Sequence, residues 1–240
     1  MLISIITPTH ARPKAFQLCE KYMARQTYKG DIQWLVVIDA GINDYNFTMG
    51  QQVINRDTSN DVASIHSVNA NYLEALPHIK GDKVAFVEDD DWYNKDYLQT
   101  LSDALDTVDL AGFASALYYH VTARRWRDMK NTGHCSLAAT GITRNALPTF
   151  KQACLVPWCK YADMCLWTHH KLTGTWKILP NEVYNPSTPN MPPRPIHVGI
   201  KGLKDGCPGV GMGHDATAGI RDGNFRVLRQ WIGLDVKNYQ

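Results

Sequence analysis

Residues 83–101, K-V-A-F-V-E-D-D-D-W-Y-N-K-D-Y-L-Q-T-L, pass from a short apolar run into four consecutive acids and then into a helical pattern. Lys83 to Val87 reads as a strand. After Asn94, which suits an N-cap, Asp96 stands in a first turn and Tyr97, Leu101, Leu105 and Val108 recur at helical spacing. A strand that ends in acids and feeds a helix is one βα unit of an open α/β sheet. Such sheets bind ligands in the crevice beyond the carboxyl ends of their strands.

The same alternation extends towards the amino terminus. Leu2 to Thr7 is a short isoleucine-rich run suited to a strand covered on both faces, and Pro8 and Pro13 bracket the loop that follows. Pro13 suits a first helical turn, and Phe16, Cys19 and Met23 continue that helix. A second strand, Trp34 to Ile38, ends on Asp39-Ala40-Gly41. The polar, patternless stretch from Asn43 to Asn60 predicts loops, and Tyr72, Leu73 and Leu76 mark a helical face closed by Pro77 and Gly81. These units imply an α/β fold with a mixed, mostly parallel sheet flanked by helices.

Beyond residue 110 the texture changes. Phe113 to Val121 followed by Arg125 to Met129 predicts a small antiparallel region, and a helix is expected over about Lys160 to Leu172, carrying Tyr161, Met164, Leu166, His169 and His170. Asn185 to Gly219 is rich in proline and glycine. With no repeat or clear linker, one domain over residues 1–240 is expected, divided into halves at about residue 110.

Hydrophobic residues make up 44% and charged residues 20%, which excludes a disordered or fibrous chain. A formal charge of +2 is too small to require nucleic acid as a partner and does not exclude it. Six scattered cysteines without a C-x-x-C pair indicate neither a zinc site nor a disulfide framework. The first residues lack the pattern of a secretory signal, and no run approaches the ~18 apolar residues of a membrane span. A cytoplasmic protein is therefore expected.

Four adjacent carboxylates repel one another, and a divalent cation bridging them to phosphate oxygens offsets that repulsion. Oxygen ligands suit Mn²⁺ or Mg²⁺. The alternative is a solvated acidic turn that caps the next helix. No G-x-G-x-x-G turn follows the first strand and no G-x-x-x-x-G-K-[ST] occurs, which disfavours a Rossmann dehydrogenase and a P-loop kinase.

Residues 84–101 resemble the strand, D-x-D acids, aromatic and helix of the family 2 glycosyltransferases, which have the GT-A fold. The resemblance places Glu88 and Asp90 at the two acidic positions, with Asp91 as the extra acid; Glu88 replaces the usual aspartate. I-S-I-I-T-P-T-H-A-R-P, residues 3–13, resembles the family's first strand and loop and implies nucleotide contacts from Pro8, Thr9 and Arg12. V-V-I-D-A-G, residues 36–41, is similar to the family's V-V-D-D-G and implies that Asp39 meets the base. The resemblance thus implies a metal-dependent transfer from a nucleotide diphosphate sugar, UDP-linked by expectation. Glu88 and Asp89 fall on the donor side, and Asp90 and Asp91 fall on the metal.

Inverting transfer needs one more carboxylate to take the acceptor's proton. K-Y-A-D-M-C-L-W-T-H-H, residues 160–170, resembles the family's E-D-x-x-L-W segment and implies that base at Asp163; the other reading is an acid complementing a helix dipole. Residues 192–215 have the makeup of an active-site loop, in which His197 or His214 is a candidate metal ligand and Lys201 a candidate partner of the diphosphate. An ordinary glycine-rich surface loop is the other reading of those residues.

Tyr118, Tyr119, His120, Arg124, Arg125, Trp126 and Arg127 interleave rings and cations, a pattern that suits stacking on bases, with Tyr119, Arg125 and Trp126 as acceptor candidates. A β-hairpin with a charged outer face explains the same residues. The opening I-T-P-T-x-x-R-P together with H-V-G-I-K-G is loosely similar to small phage-type glycosyltransferases that modify DNA, which implies a hydroxymethylated pyrimidine as acceptor, extruded from the duplex. A cell-envelope saccharide is the second acceptor, and a module that binds saccharide or nucleic acid without catalysis is the non-enzymatic alternative.

Overall fold

A computed structural model describes residues 1–39, 45–183, 193–203 and 219–240. The first half runs β1 (Leu2–Thr9), α1 (Pro13–Met23), β2 (Asp31–Ile38), β3 (Gln52–Asn55), α2 (Ser67–Ala75), β4 (Lys83–Phe86), β5 (Trp92–Tyr93) and α3 (Tyr97–Leu105). There follow β6 (Leu110–Phe113), β7 (Leu117–His120), β8 (Arg125–Asp128), β9 (Thr140–Thr143), α4 (Leu147–Leu155), α5 (Ala162–Thr173) and β10 (Trp176–Leu179). The chain closes with β11 (His197–Lys201), β12 (Ile220–Arg221), α6 (Arg226–Ile232) and a 3₁₀ turn over Gly233–Tyr239.

Among the described residues, a seven-stranded sheet has the order β10-β6-β9-β4-β1-β2-β3. β9 runs antiparallel to both its neighbours, and the other pairs are parallel. This is the mixed, mostly parallel sheet expected. Alternation along β1 serves two cores: Ile3 and Ile5 pack with Phe16 of α1 and Leu101 of α3, while Ile6 packs with Tyr72 of α2, Phe150 of α4 and Trp167 of α5. Fully burying side chains such as Phe86 and Phe150 contributes about 1.5–3 kcal/mol each.

A second sheet has the order β12-β8-β7-β11-β5 and is antiparallel except where β7 meets β11. Two glycines of β11 and its end make that parallel contact possible. A Cβ on Gly199 would stand 2.4 Å from the ring of Tyr118, its partner across the ladder. Gly202 has φ +67° and lies against the ring of His120. H-V-G-I-K-G therefore places small residues where β7 presents rings.

Several expectations are corrected. Residues 52–55, expected as loop, form β3, a four-residue edge strand covered only in part and so without an apolar run. Asp96 rather than Asn94 occupies the N-cap position of α3, without a capping bond from its side chain, and the helix ends at Leu105. The stretch starting at Phe113 divides: β6 belongs to the large sheet, and only β7 and β8 form the antiparallel hairpin. The expected carboxy-terminal loop contains β11, whose five residues are all buried. α4, β10 and α6 lie where no element was expected.

Candidate active site

The acidic residues 88–91 leave the carboxyl end of β4 as a turn secured on both sides. The Val87 N–H donates to the Ile6 carbonyl at 3.0 Å, and the Glu88 N–H to the hydroxyl of Tyr93 at 2.8 Å. Tyr93 and Trp92, which follow the turn, pair with His197 and Val198. That pairing brings β11 against the acids from over a hundred residues away. Asp89, Asp90 and Asp91 are all buried, and each has a different set of partners.

Asp89 faces β1, where the Thr9 hydroxyl donates to it at 2.5 Å and Arg12 forms an ion pair at 2.8 Å. Asp91 faces β11: the Nε2 of His197 lies 2.9 Å from it and the Ile200 N–H donates at 3.0 Å. Asp90 and Glu88 turn towards the space between. Oxygens of Glu88, Asp90 and Asp91 lie within 4.8 Å of one another. Into this group points the Nζ of Lys201, 3.3 Å from Asp90, 3.3 Å from Asp91 and 3.7 Å from Glu88.

The electrostatics follow from burial and partnership. Partial burial, with its side chain still 37% exposed, and the charge of Asp91 push Glu88 up to about 8. Burial likewise raises Asp89 to about 7, against the pull of Arg12. Burial also opposes the charge of Asp91, but Lys201, His197 and the Ile200 N–H outweigh it and hold that carboxyl below its usual range. Burial disfavours the ammonium of Lys201, yet Asp90, Asp91 and Glu88 raise it well above the ordinary lysine value.

Glu88 and Asp89 thus retain protons in the fold at pH values where the unfolded chain has released them. A raised carboxyl contributes stability that is full below the unfolded value, about 4, and is lost as pH rises through the folded one. Binding of a cation to deprotonated carboxylates opposes that loss and releases protons. The gain in melting temperature on replacing EDTA with Mn²⁺ is expected to grow from about pH 5 to about pH 8 and then level off. A gain that does not vary with pH would remove Glu88 from the ion's ligands.

The donor set suits a hard divalent cation, since three carboxylates converge without sulfur or free imidazole. Glu88 joins Asp90 and Asp91 in that group, whereas it was expected on the donor side. His197, the other metal candidate described, is buried with its Nε2 2.9 Å from Asp91 and stands beside the three convergent carboxylates rather than among them. His214 lies outside the described residues. Lys201 points at the carboxylates, and Pro8 is the penultimate residue of β1, in register with Val37.

Asp39, at the end of β2, is held by the Nδ1 of His10 at 2.7 Å, by the Asn71 amide at 2.9 Å and by Arg56 at 3.6 Å. Asp163 opens α5 and is half-buried, and burial raises its carboxyl. Beyond burial, its charge raises Tyr72 and Tyr118, as the charge of Glu88 also does.

The acceptor candidates divide by strand face. Tyr119 is fully buried, donates to Asp222 at 3.0 Å and stacks on Phe225, so its expected acceptor contact is corrected. Asp222 in turn accepts from the first N–H groups of α6. Trp126 packs edge-on against Trp231, and Arg125 donates to the Gly219 carbonyl at 2.6 Å. Tyr118 takes the opposite face, with Lys201 Nζ 5.7 Å from its ring centre. Only the phase of β7 distinguishes it from Tyr119.

No protein-family model and no curated protein matches the chain. Solved structures do. Staphylococcus aureus TarS 1–349 in complex with UDP-GlcNAc superposes with a TM-score of 0.55 at 16% identity, over 86% of this chain and 60% of that one. The fold is that of the GT-A glycosyltransferases. The same GT-A frame appears in the mannosyltransferase PcManGT from Pyrobaculum calidifontis in complex with GDP-Man and Mn²⁺, at a TM-score of 0.52 and 13% identity over 75% of this chain and 55% of that one. The chain spans less than two thirds of either GT-A protein.

Proposed function

We propose that the protein is a metal-dependent glycosyltransferase that moves a sugar from a nucleotide diphosphate donor, UDP-linked, to an acceptor hydroxyl. The observation that carries this reading is the convergence of Glu88, Asp90 and Asp91 with Arg12 and Lys201 at the carboxyl edge of β4. That edge is where open α/β sheets take their ligands. The nucleotide-sugar complexes of the structurally similar proteins support a donor of this class.

Glu88, Asp90 and Asp91 would hold the divalent ion, whose contribution when bound is to neutralise charge on the departing diphosphate. Arg12 and Lys201 add permanent positive charge beside it. Asp39, fixed by Asn71 and Arg56, offers a carboxylate at the end of β2 to the nucleoside. Asp163 takes the proton of the acceptor hydroxyl while the hydroxyl oxygen attacks the anomeric carbon, a single displacement that inverts configuration. Burial, by raising Asp163, brings its basicity nearer to neutrality, which suits that exchange.

For the acceptor we retain a hydroxymethylated pyrimidine in DNA, on the loose phage-type resemblance of the first loop and of residues 197–202. The hairpin adds nothing to it, because Tyr119 and Trp126 are engaged in packing. The test supplies Mn²⁺, labelled nucleotide-sugars and, in parallel, hydroxymethyl-DNA and envelope saccharide. Label entering DNA is the expected result, and label in saccharide alone replaces the acceptor. Calorimetry that detects no uptake of any nucleotide-sugar with Mn²⁺ or Mg²⁺ present sinks the enzyme reading.

A further inference from the structure

The carboxylates suited to a divalent ion already hold a cation. Nζ of Lys201 stands 3.3 Å from Asp90 and Asp91 and 3.7 Å from Glu88, among the same three groups whose oxygens lie within 4.8 Å of one another. A divalent ion such as Mg²⁺ sits about 2.0–2.1 Å from its oxygen ligands. An ion bound by these oxygens would therefore share its space with the ammonium, and two cations so close repel strongly in a buried site.

Lys201 reaches its three acids at distances longer than those of a close ion pair. Charge-assisted N–H···O bonds run about 2.7–2.9 Å, as Arg12 to Asp89 does at 2.8 Å. Those of Lys201 are longer on all three acids. A lysine carries its charge on a flexible four-carbon stem, and this one is the last residue of β11, before Gly202 at φ +67°. Tyr118, with its ring centre 5.7 Å from Nζ, gives the ammonium a second favourable surface. Residues 88–91 also bring four carboxylates against the two permanent cations Arg12 and Lys201. Once all four have released their protons, the difference is the charge of one divalent ion.

We propose that Lys201 is a displaceable occupant of the ion site: its ammonium sits among Glu88, Asp90 and Asp91 until a divalent cation takes its place, and it then moves over Tyr118 towards the donor's phosphates. The proposal rests on the ion-binding reading above and adds a competition within it. Metal affinity in the absence of nucleotide is held down by the chain's own lysine. Once displaced, that lysine is released at the position where a diphosphate needs a cation.

The test is Mn²⁺ binding to the full chain without nucleotide, followed by electron paramagnetic resonance, for the wild type and Lys201→Met. The variant is expected to bind Mn²⁺ about tenfold more tightly or better, a difference of about 1.4 kcal/mol or more. Equal or weaker binding by the variant overturns the proposal and leaves ion binding intact. No Mn²⁺ uptake by either protein overturns the ion-binding reading and the proposal together. A second measurement needs only the wild type: acetylation of Lys201, read by mass spectrometry, is expected to be slow in EDTA and several-fold faster in Mg²⁺. A rate unchanged by Mg²⁺ overturns the displacement even if the variant fails to fold.

Discussion

Asp90→Asn is expected to lower metal-dependent sugar transfer by about a thousandfold, or about 4 kcal/mol at the transition state. Of the three convergent acids, Asp90 is the one that both Lys201, at 3.3 Å, and Arg12, at 3.8 Å, approach. Asparagine keeps the shape and removes the charge, so the change falls on the ion and on the balance of the two cations. The measurement pairs turnover at saturating Mn²⁺ with a Mn²⁺ binding isotherm, and the fold is checked by circular dichroism. Turnover that survives with Mn²⁺ affinity intact would remove Asp90 from the site. Absent turnover in the wild type, with binding of saccharide or nucleic acid unchanged in Asp90→Asn, would favour a non-catalytic module.

Asp163→Asn is expected to lower kcat by about 10²- to 10⁴-fold, the range associated with a positioned general base, while donor affinity stays near that of the wild type. The two effects separate because Asp163 lies in the first turn of α5, whereas Arg12 and Asp39 lie just beyond β1 and β2. Its amide replacement keeps the contact with the start of the helix, where the Asp163 carboxylate accepts from the Met164 N–H at 2.8 Å. Kinetics with a titrated donor, set beside donor binding by calorimetry, give both quantities. An unchanged kcat ends the assignment. A loss of donor affinity equal to the loss in rate would make Asp163 a binding residue instead.

The sequence was most readable where several local rules agree. Ile3 to Ile6, Trp34 to Ile38 and Val84 to Phe86 are apolar runs bounded by breakers, and all three are buried central strands. β3 was invisible because Q-V-I-N sits at an edge and needs no apolar run. β11 was invisible for another reason: its glycines, which signal a loop in isolation, are required by the rings of Tyr118 and His120. That requirement is written in β7, eighty residues earlier.

The site was legible to the same extent. Acids 88–91, Arg12 and Lys201 could be singled out from charge and position, and they do converge. What each one faces could not, because partnership here is set by strand pairing. His197 offers an imidazole in either role, and only the pairing of β5 with β11 turns its Nε2 onto Asp91. Tyr118 and Tyr119 are identical side chains in adjacent positions, one facing Lys201 and the other Asp222. Asn71 and Arg56 carry no signature of their own, yet they bond to each other and together hold Asp39.

The interlock of Gly199 with Tyr118 acts as an alignment key. His197 and Lys201 project to one side of β11 because they share parity with Gly199, while Val198 and Ile200 project into the apolar interior. Were the strand threaded one position out of step, the ammonium would enter that oily interior and an isoleucine would confront the acids. Two aromatic rings seated on two glycines oppose such mis-threading, so the means by which this protein balances charge is favoured by steric fit as well as by electrostatic attraction.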